Sequence, residues 1–265
     1  MRISGDRVFA LIVLILVVGG AGIFLSAALG LLARENVSLS HIAITQLLLG
    51  LVPGVLALIV VRFMPQKLLE RGILPYYIFA VLLTCAVFIP GLGQTTGGAT
   101  RWIHLGPVTI QPAEFLKIAV VLMFALYLSR LKDKIRDPRY GLLAYGVIVG
   151  IPAAILLAQP NTSTVLILGA TTFALYFLAG ARIRDFAVLG IIALIVVGGL
   201  LATRPYLMNR VETFINPASD GLGQGYQIQQ SLIAIGSGGI MGRGFGQSVQ
   251  TVSYTHLTLP TNREV

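Results

Sequence analysis

Seven long apolar runs constrain the fold of this chain more than any other feature of its sequence. The first, residues 8–33, contains no charged side chain and exceeds the roughly 20 residues that a helix needs to cross a bilayer. It is too long for a removable signal peptide and lacks a small-residue cleavage site, so we predict a transmembrane helix that stays in the protein. The other six runs cover residues 42–61, 73–89, 115–128, 141–158, 165–180 and 186–202.

Charged residues are scarce and unevenly distributed between these runs. Only 11% of the residues are charged and 56% are hydrophobic, whereas a soluble domain has about 25% charged residues. We therefore predict an all-α fold, a polytopic transmembrane helical bundle with seven spans in this chain. If the spans alternate in direction, most of the 19 lysines and arginines fall on one side, and the positive-inside rule makes that side and the N-terminus cytoplasmic. These residues are Arg2, Arg7, Arg62, Lys67, Arg71, Arg130, Lys132, Lys134, Arg136, Arg139, Arg182 and Arg184.

The net charge of +9 is therefore explained by membrane topology. The basic residues can also contact lipid headgroups, and we expect no nucleic-acid partner. Cys85 is the only cysteine, so the sequence offers neither an internal disulfide nor a thiolate metal site. The three histidines, His41, His104 and His256, are not spaced as ligands. We expect no histidine metal cluster.

Ionisable residues at membrane depth are concentrated between residues 97 and 117. Pro112 suits the first position of the fourth span, which places Glu114 in the first turn, near the positive end of the helix dipole. Lys117 follows on the same face, roughly 8 Å along the helix from Pro112. Arg101 precedes this helix and is followed by the only tryptophan. Charges at this depth are costly, and they are functional candidates by default.

Arg101 and Lys117 together predict an anion site, because arginine forks and lysine charges are common means of holding phosphate. A substrate with a phosphate at the membrane surface and a lipid tail within the membrane would suit that layout. Simpler alternatives stay open. Glu114 and Lys117 can merely neutralise each other, and Arg101 can extend to lipid headgroups beside an interfacial tryptophan. Arg210 can add to the cationic cluster or be an ordinary solvated surface residue.

Three further segments are polar or rich in glycine. Residues 159–164 (Gln-Pro-Asn-Thr-Ser-Thr) separate the fifth and sixth spans, and we interpret them as a hairpin turn with a Thr or Ser capping the next helix. Residues 226–235 carry apolar side chains at spacings of four and three, which predicts a helix along the membrane interface. The glycine-rich run 236–246 follows no strand and is not a dinucleotide-binding loop.

Four blocks of sequence, taken together and in this order, indicate a protein family. They are Gly98-Ala-Thr-Arg-Trp-Ile with Gln111-Pro-Ala-Glu and Lys117; Gln159-Pro-Asn with Thr164; Asn216-Pro217; and residues 225–248, which include GYQ and QSLIAIGSGG. This series resembles the SEDS family of cell-wall proteins (FtsW, RodA, SpoVE), and its last block is more similar to the division-type branch than to the elongation type. The resemblance covers nearly all of residues 1–250, which we assign to one membrane domain.

The resemblance implies a peptidoglycan glycosyltransferase that polymerises lipid II at the outer face of the cytoplasmic (inner) membrane, at the division septum. It implies Arg101, Glu114, Lys117 and, more weakly, Arg210 as substrate-binding residues, with cations stabilising the departing pyrophosphate. A carboxylate would act as general base on the acceptor hydroxyl, and a divalent cation (Mg²⁺ or Mn²⁺) would assist. The implied partners are lipid II, a class B penicillin-binding transpeptidase and other divisome proteins.

The chain departs from the family pattern in two places. Asn161 stands where the family has an Asp after Gln-Pro. If that Asp pairs with Lys117 in the family, the acid is missing here, and Glu114 becomes the more important candidate partner of the lysine. Family members usually have about ten spans, each recognisable by hydropathy, and a catalytic Asp just beyond the glycine-rich block. Here the match stops near Gln250, and residues 251–265 contain no Asp. We therefore expect a truncated family member with a non-native tail, no assigned catalytic base, and no polymerisation by the chain as written.

Two rival functions fit the same residues. A flippase or transporter of lipid-linked sugars also combines many spans with buried charges, and it would move headgroups across liposomes without forming polymer. A non-catalytic divisome scaffold would tolerate Arg101→Ala and Lys117→Ala, which the enzyme would not. The family resemblance places the enzyme first, whereas composition and spacing alone predict only a polytopic membrane protein with an outward-facing anion site.

Overall fold

The computed structural model describes residues 3–32, 47–96, 99–105, 108–216 and 224–245. Short π-helical turns occur at Leu47–Leu51 and Gly146–Gly150, and a 3-10 turn occurs at Lys132–Arg136. The helices are α1 (Ile3–Leu32), α2 (Val52–Phe63), α3 (Gln66–Ala86), α4 (Pro112–Leu131), α5 (Leu142–Tyr145), α6 (Ile151–Ala158), α7 (Thr162–Leu178), α8 (Ile183–Thr203), α9 (Pro205–Ile215) and α10 (Gln224–Gly238).

These helices confirm the all-α membrane fold. Within the described residues, α3, α4, α8 and the central part of α1 are long and apolar enough to cross a membrane. The helices α2, α5–α6 and α7 are shorter and apolar, and they coincide with the remaining predicted spans. The start of the second predicted span, residues 42–46, and Ala33 lie outside the described residues.

A small antiparallel sheet between α3 and α4 was not predicted by the sequence. Its strands are β1 (Gly93–Thr96), β2 (Ala99–Leu105) and β3 (Val108–Ile110), in that spatial order. Gln94 lies opposite Trp102, and Ile103 lies opposite Ile110. Because β3 ends two residues before α4 begins, the sheet fixes the position of the β2 side chains relative to the start of that helix.

The chain divides into two compact units, residues 63–198 and residues 1–62 with 199–265. The first of these contains α3 to α7, nearly all of α8, and the sheet. Leu116, Val120 and Phe124 recur every fourth residue of α4, so they form one buried face. Phe124 makes an edge-to-face contact with Tyr145, with ring centroids 5.3 Å apart, and Tyr176, which is fully buried like Phe124, packs against both rings.

This unit has two chemically different ends. The sheet end contains the end of α3, the three strands, the start of α4 and the turn between α6 and α7 (residues 158–162). The basic end contains the start of α3, the end of α4, the end of α7 and the start of α8, and there Arg130 contacts Glu70 at 3.4 Å. The basic end also carries Lys134, Arg136, Arg139, Arg182 and Arg184.

A buried hydrogen bond at the basic end joins α7 to α8. The Tyr176 hydroxyl donates to Asp185 Oδ2 at 2.9 Å, and the two residues are 0% and 3% exposed. This pair was not predicted from the sequence, although an aspartate in the first turn of a helix that is apolar from Phe186 onward was a usable signal. A buried polar group needs such a partner, since desolvation without one is costly.

We expect Tyr176→Phe to lower the free energy of unfolding by roughly 2 kcal/mol, because it leaves a buried carboxylate without its hydroxyl donor. Asp185→Asn keeps a carbonyl oxygen that can accept the same bond, and a smaller loss is expected. Thermal unfolding of the purified chain in detergent measures both. Equal stability of Tyr176→Phe and the parent chain would contradict the assignment.

Candidate functional site

Arg101, the first predicted site residue, is held against the main chain at the sheet end. Strand β2 carries it, and its Nε donates to the Gln159 carbonyl at 3.4 Å while Nη2 donates to the Pro160 carbonyl. Within the described residues no carboxylate forms an ion pair with Arg101. The side chain therefore holds the α6–α7 turn, and no acid in the part of the chain that the structure describes neutralises its positive charge.

Gln159 extends this network to the end of α3. Its side-chain Nε2 donates to the Thr84 carbonyl at 2.7 Å, and Gln159 and Thr84 are 2% and 0% exposed. Together, Arg101 and Gln159 connect β2, the α6–α7 turn and α3. Sequence reasoning did not place Gln159 in the site; the signal was a glutamine just before a proline at the break between two apolar runs.

A cleft of about 470 Å³ opens at this junction. Its walls come from the segment after α3, from the sheet and from the α6–α7 turn, which are the elements that Arg101 and Gln159 tie together. The lining combines apolar side chains with the polar residues Thr100 and Gln159, which suits a ligand with both characters. The lining includes Phe88, Ile89, Pro90, Thr100, Gln159 and Pro160.

Glu114 and Lys117 form the ion pair that their spacing predicts. Helix α4 begins at Pro112 as expected, and Lys117 Nζ lies 3.0 Å from Glu114 Oε2. The lysine side chain is 28% exposed and the glutamate 57%, so this pair contributes little to stability. Glu114 is thus the partner of Lys117, and a ligand that binds the lysine has to compete with it.

Asn161 occupies the N-cap of α7 without capping it. The sequence predicted a Thr or Ser cap for this helix, and that prediction was wrong, because no side chain caps its first turn. Instead, Asn161 Oδ1 accepts a hydrogen bond from Thr164 Oγ1 at 2.8 Å. Asn161 Nδ2 is buried and has no hydrogen-bond partner, and it is the only such side-chain atom among the described residues.

Arg210, the last of the predicted site residues, belongs to the part of the chain outside the unit that contains this site. It lies in α9, in the other unit, and its side chain is outside the described part of the chain. The predicted interfacial helix at residues 226–235 is present within α10. The predicted turns around residues 217–223, the end of the glycine-rich block and the boundary at residue 250 fall outside the described residues.

The expected divalent cation has no cluster of ligands among the described residues. Nowhere among them do three His, Cys, Asp or Glu side chains gather in a group that could hold a metal ion. Glu114, the carboxylate among the predicted site residues, is already paired with Lys117. The expected Mg²⁺ or Mn²⁺ therefore has no assigned ligands in this part of the chain.

Comparison with known proteins gives consistent matches. Residues 6–261 match the model of the FtsW/RodA/SpoVE family, described as a cell cycle protein. A probable peptidoglycan glycosyltransferase FtsW from Tolumonas auensis is 41% identical over 163 residues, which are 62% of this chain and 42% of that protein. A protein of the same description from Trichlorobacter lovleyi is 34% identical over 94% of this chain and 65% of its own length.

Among solved structures, a chain described under "Structural coordination of polymerization and crosslinking by a peptidoglycan synthase complex" matches with a TM-score of 0.61 and 29% identity. The match covers 82% of this chain and 65% of that one. This chain therefore spans less than half of the length of the Tolumonas relative and about two thirds of the longer matches.

Proposed function

This chain belongs to the FtsW/RodA/SpoVE family of cell cycle proteins, and we propose that it carries the substrate-holding part of a peptidoglycan glycosyltransferase that polymerises lipid II during cell division. The observation that carries this proposal is Arg101, whose charge has no acidic partner among the described residues and which is hydrogen-bonded to Gln159 and Pro160, two residues that line a cleft with both polar and apolar side chains. The names of the FtsW relatives support the same activity.

The distribution of charge supports an orientation for this site. Arginines and lysines cluster at the basic end of the residue 63–198 unit, which the positive-inside rule places in the cytoplasm. The sheet end, with Arg101 and Lys117, then faces the outer side of the inner membrane. A lipid-linked substrate would place its pyrophosphate at that surface and its polyprenyl tail between the helices. The division septum is the proposed location in the cell.

The site supplies electrostatic stabilisation to the leaving group. An arginine has five N–H donors, and the two contacts of Arg101 with Gln159 and Pro160 leave donors free for phosphate oxygens. Lys117 adds a positive charge when Glu114 moves aside or shares the ligand. Such fixed donors are most effective where negative charge develops during the reaction.

The matching solved complex also supports a proposal about partners. It is a peptidoglycan synthase complex in which polymerisation and crosslinking are coordinated. We propose that this chain likewise pairs with a class B penicillin-binding transpeptidase and, through it, with other divisome proteins. Co-purification of a tagged chain with the transpeptidase encoded in the same genome tests that pairing.

Binding of lipid II to the purified 265-residue chain in nanodiscs is the primary test of the proposed function. We expect saturable binding that Lys117→Met weakens roughly tenfold, because one charge-assisted contact is lost. Lys117→Arg keeps the charge and is expected to retain most of the binding. Lys67→Met removes an exposed lysine at the start of α3, at the basic end, and serves as the matched control.

Polymer formation and headgroup movement are scored in the same preparations. A chain that shows no lipid II binding contradicts the proposal. Movement of headgroups across liposomes without polymer would favour the transporter, and unchanged binding in Lys117→Met would remove Lys117 from the proposed site.

A further inference from the structure

Five exposed cations lie on two connections at the basic end of the residue 63–198 unit. Three follow α4, in the segment that leads to α5, and two lie at the turn from α7 into α8. They are Lys134, Arg136, Arg139, Arg182 and Arg184. Within the part of the chain that the structure describes, none of the five forms an ion pair with a carboxylate. Their charge is therefore available to a ligand from outside the chain.

Buried contacts hold these two connections together. Ile135 is 4% exposed and anchors the segment after α4 in the core. A Cβ at Gly141 would meet both the Ile135 carbonyl and the Tyr176 hydroxyl, so the end of α7 lies directly against this segment. The same hydroxyl donates to the buried Asp185 in the first turn of α8. The segment after α4 and the turn into α8 therefore form one supported surface.

The acids whose side chains are described at this end already have partners. Glu70 pairs with Arg130, and Asp185 accepts its hydrogen bond in the interior. Asp137 is exposed, and its Oδ1 accepts the main-chain N–H of Arg139 at 3.0 Å. Asp137 thus lowers the charge of the surface without pairing with a guanidinium group. The surface retains an excess of positive charge, which is complementary to an anionic ligand.

Apolar side chains beside the same cations indicate that this ligand is part of the membrane. Ile183, which lies between Arg182 and Arg184, is 82% exposed, and Leu178 at the end of α7 is 80% exposed. Such side chains lie among acyl chains in a bilayer, and long basic side chains next to them extend to the headgroups. Guanidinium groups bind phosphate oxygens in a bidentate manner, and anionic lipids attract basic segments next to a span.

We propose that the two connections form one binding site for an anionic phospholipid, in which Arg136 and Arg184 hold the phosphate of a single headgroup. Arg136 follows the buried Ile135, and Arg184 precedes the buried Asp185, so the core fixes both main-chain positions. An acidic protein segment would satisfy the arginines but would offer no acyl chain to the exposed Ile183. The site lies at the opposite end of the unit from the cleft and does not depend on lipid II binding.

Native mass spectrometry of the 265-residue chain in a zwitterionic detergent, titrated with phosphatidylglycerol, measures the fraction of chain that carries a bound lipid. We expect Arg136→Gln and Arg184→Gln each to lower the affinity roughly tenfold, the size of one charge-assisted contact. The double variant is expected to lose well under about a hundredfold, because two arginines on one headgroup are coupled. Thermal unfolding without added lipid shows that each variant retains the fold.

Three controls separate a defined site from a diffuse field of charge. Arg71→Gln removes one exposed positive charge at the same end, in α3, and is expected to bind within about twofold of the parent. Arg184→Lys keeps the charge without the planar fork and is expected to lose affinity roughly threefold. Phosphatidylcholine has the phosphate but no net charge, and we expect it to bind at least about tenfold more weakly.

The outcomes either support or overturn the site. Equal affinity of Arg136→Gln, Arg184→Gln and Arg71→Gln for phosphatidylglycerol overturns it, as does equal affinity of the parent for the two lipids. Fully additive losses in the double variant contradict a single shared headgroup. Displacement of the lipid by glycerol phosphate or by polyglutamate at equal concentration contradicts a membrane lipid as the occupant. Preference for the anionic lipid with coupled losses supports the inference.

Discussion

Replacing Arg101 by alanine is expected to remove measurable lipid II binding and to lower the free energy of unfolding by about 3 kcal/mol, because a charged donor contributes roughly 1.5–3 kcal/mol per hydrogen bond. Both effects have one origin. The guanidinium supplies the charge beside the cleft and also holds the Gln159 and Pro160 carbonyls. Without it, the α6–α7 turn loses its connection to β2, and the Asn161 amide loses its fixed position.

Arg101→Lys separates charge from geometry. The lysine keeps the positive charge but has no planar fork, so it cannot hold two successive carbonyls in the same way. We expect Arg101→Lys to recover only part of the stability and part of the binding. Titration with lipid II and thermal unfolding in the same detergent measure both quantities.

Arg130→Ala is the matched control, since Arg130 forms an exposed ion pair with Glu70 at the basic end. An exposed pair of this kind contributes at most about 1 kcal/mol, and lipid II binding is expected to be unchanged. If Arg101→Ala behaved like Arg130→Ala in both assays, the stabilising role of the Arg101 hydrogen bonds and its role in lipid II binding would both be wrong.

The helices were predictable because their signal is local. The apolar run at residues 115–128 appears in the structure as α4, Pro112–Leu131. The extra residues at its start follow from Pro112, which can begin a helix although it is not part of the apolar run. The contact between Glu114 and Lys117 was also predictable, since residues three apart share a helix face.

The sheet and the partners of Arg101 were not predictable from local patterns. Strands β1 and β3 have only four and three residues, too few for a convincing alternation of polar and apolar side chains. Arg101 contacts carbonyls 58 and 59 positions away in sequence. Because every residue has a main-chain carbonyl, the residue types do not reveal which carbonyls accept these bonds. The unpaired Asn161 amide is likewise visible only once the surroundings of α7 are known.

Gly141→Val is expected to lower the free energy of unfolding by several kcal/mol, because overpacking a fixed interior typically costs about 1–3 kcal/mol and more where nothing can move. A Cβ at Gly141 would lie far inside van der Waals contact with the Tyr176 hydroxyl and the Ile135 carbonyl. Neither oxygen moves easily: Ile135 is buried and its carbonyl is main chain, and Tyr176 is buried and bound to Asp185. The substitution would therefore also break the α7–α8 hydrogen bond.

Gly146→Ala provides the comparison that isolates the clash. A Cβ at Gly146 meets no atom within 4 Å, so the alanine is expected to be neutral or to stabilise the helix by up to about 1 kcal/mol. Thermal unfolding of Gly141→Val, Gly141→Ala and Gly146→Ala in one detergent measures the series. The expected order is parent and Gly146→Ala most stable, then Gly141→Ala, then Gly141→Val. A Gly141→Ala variant as stable as Gly146→Ala would show that Tyr176 is free to move, and the buried link to Asp185 would then no longer explain how α7 and α8 are joined.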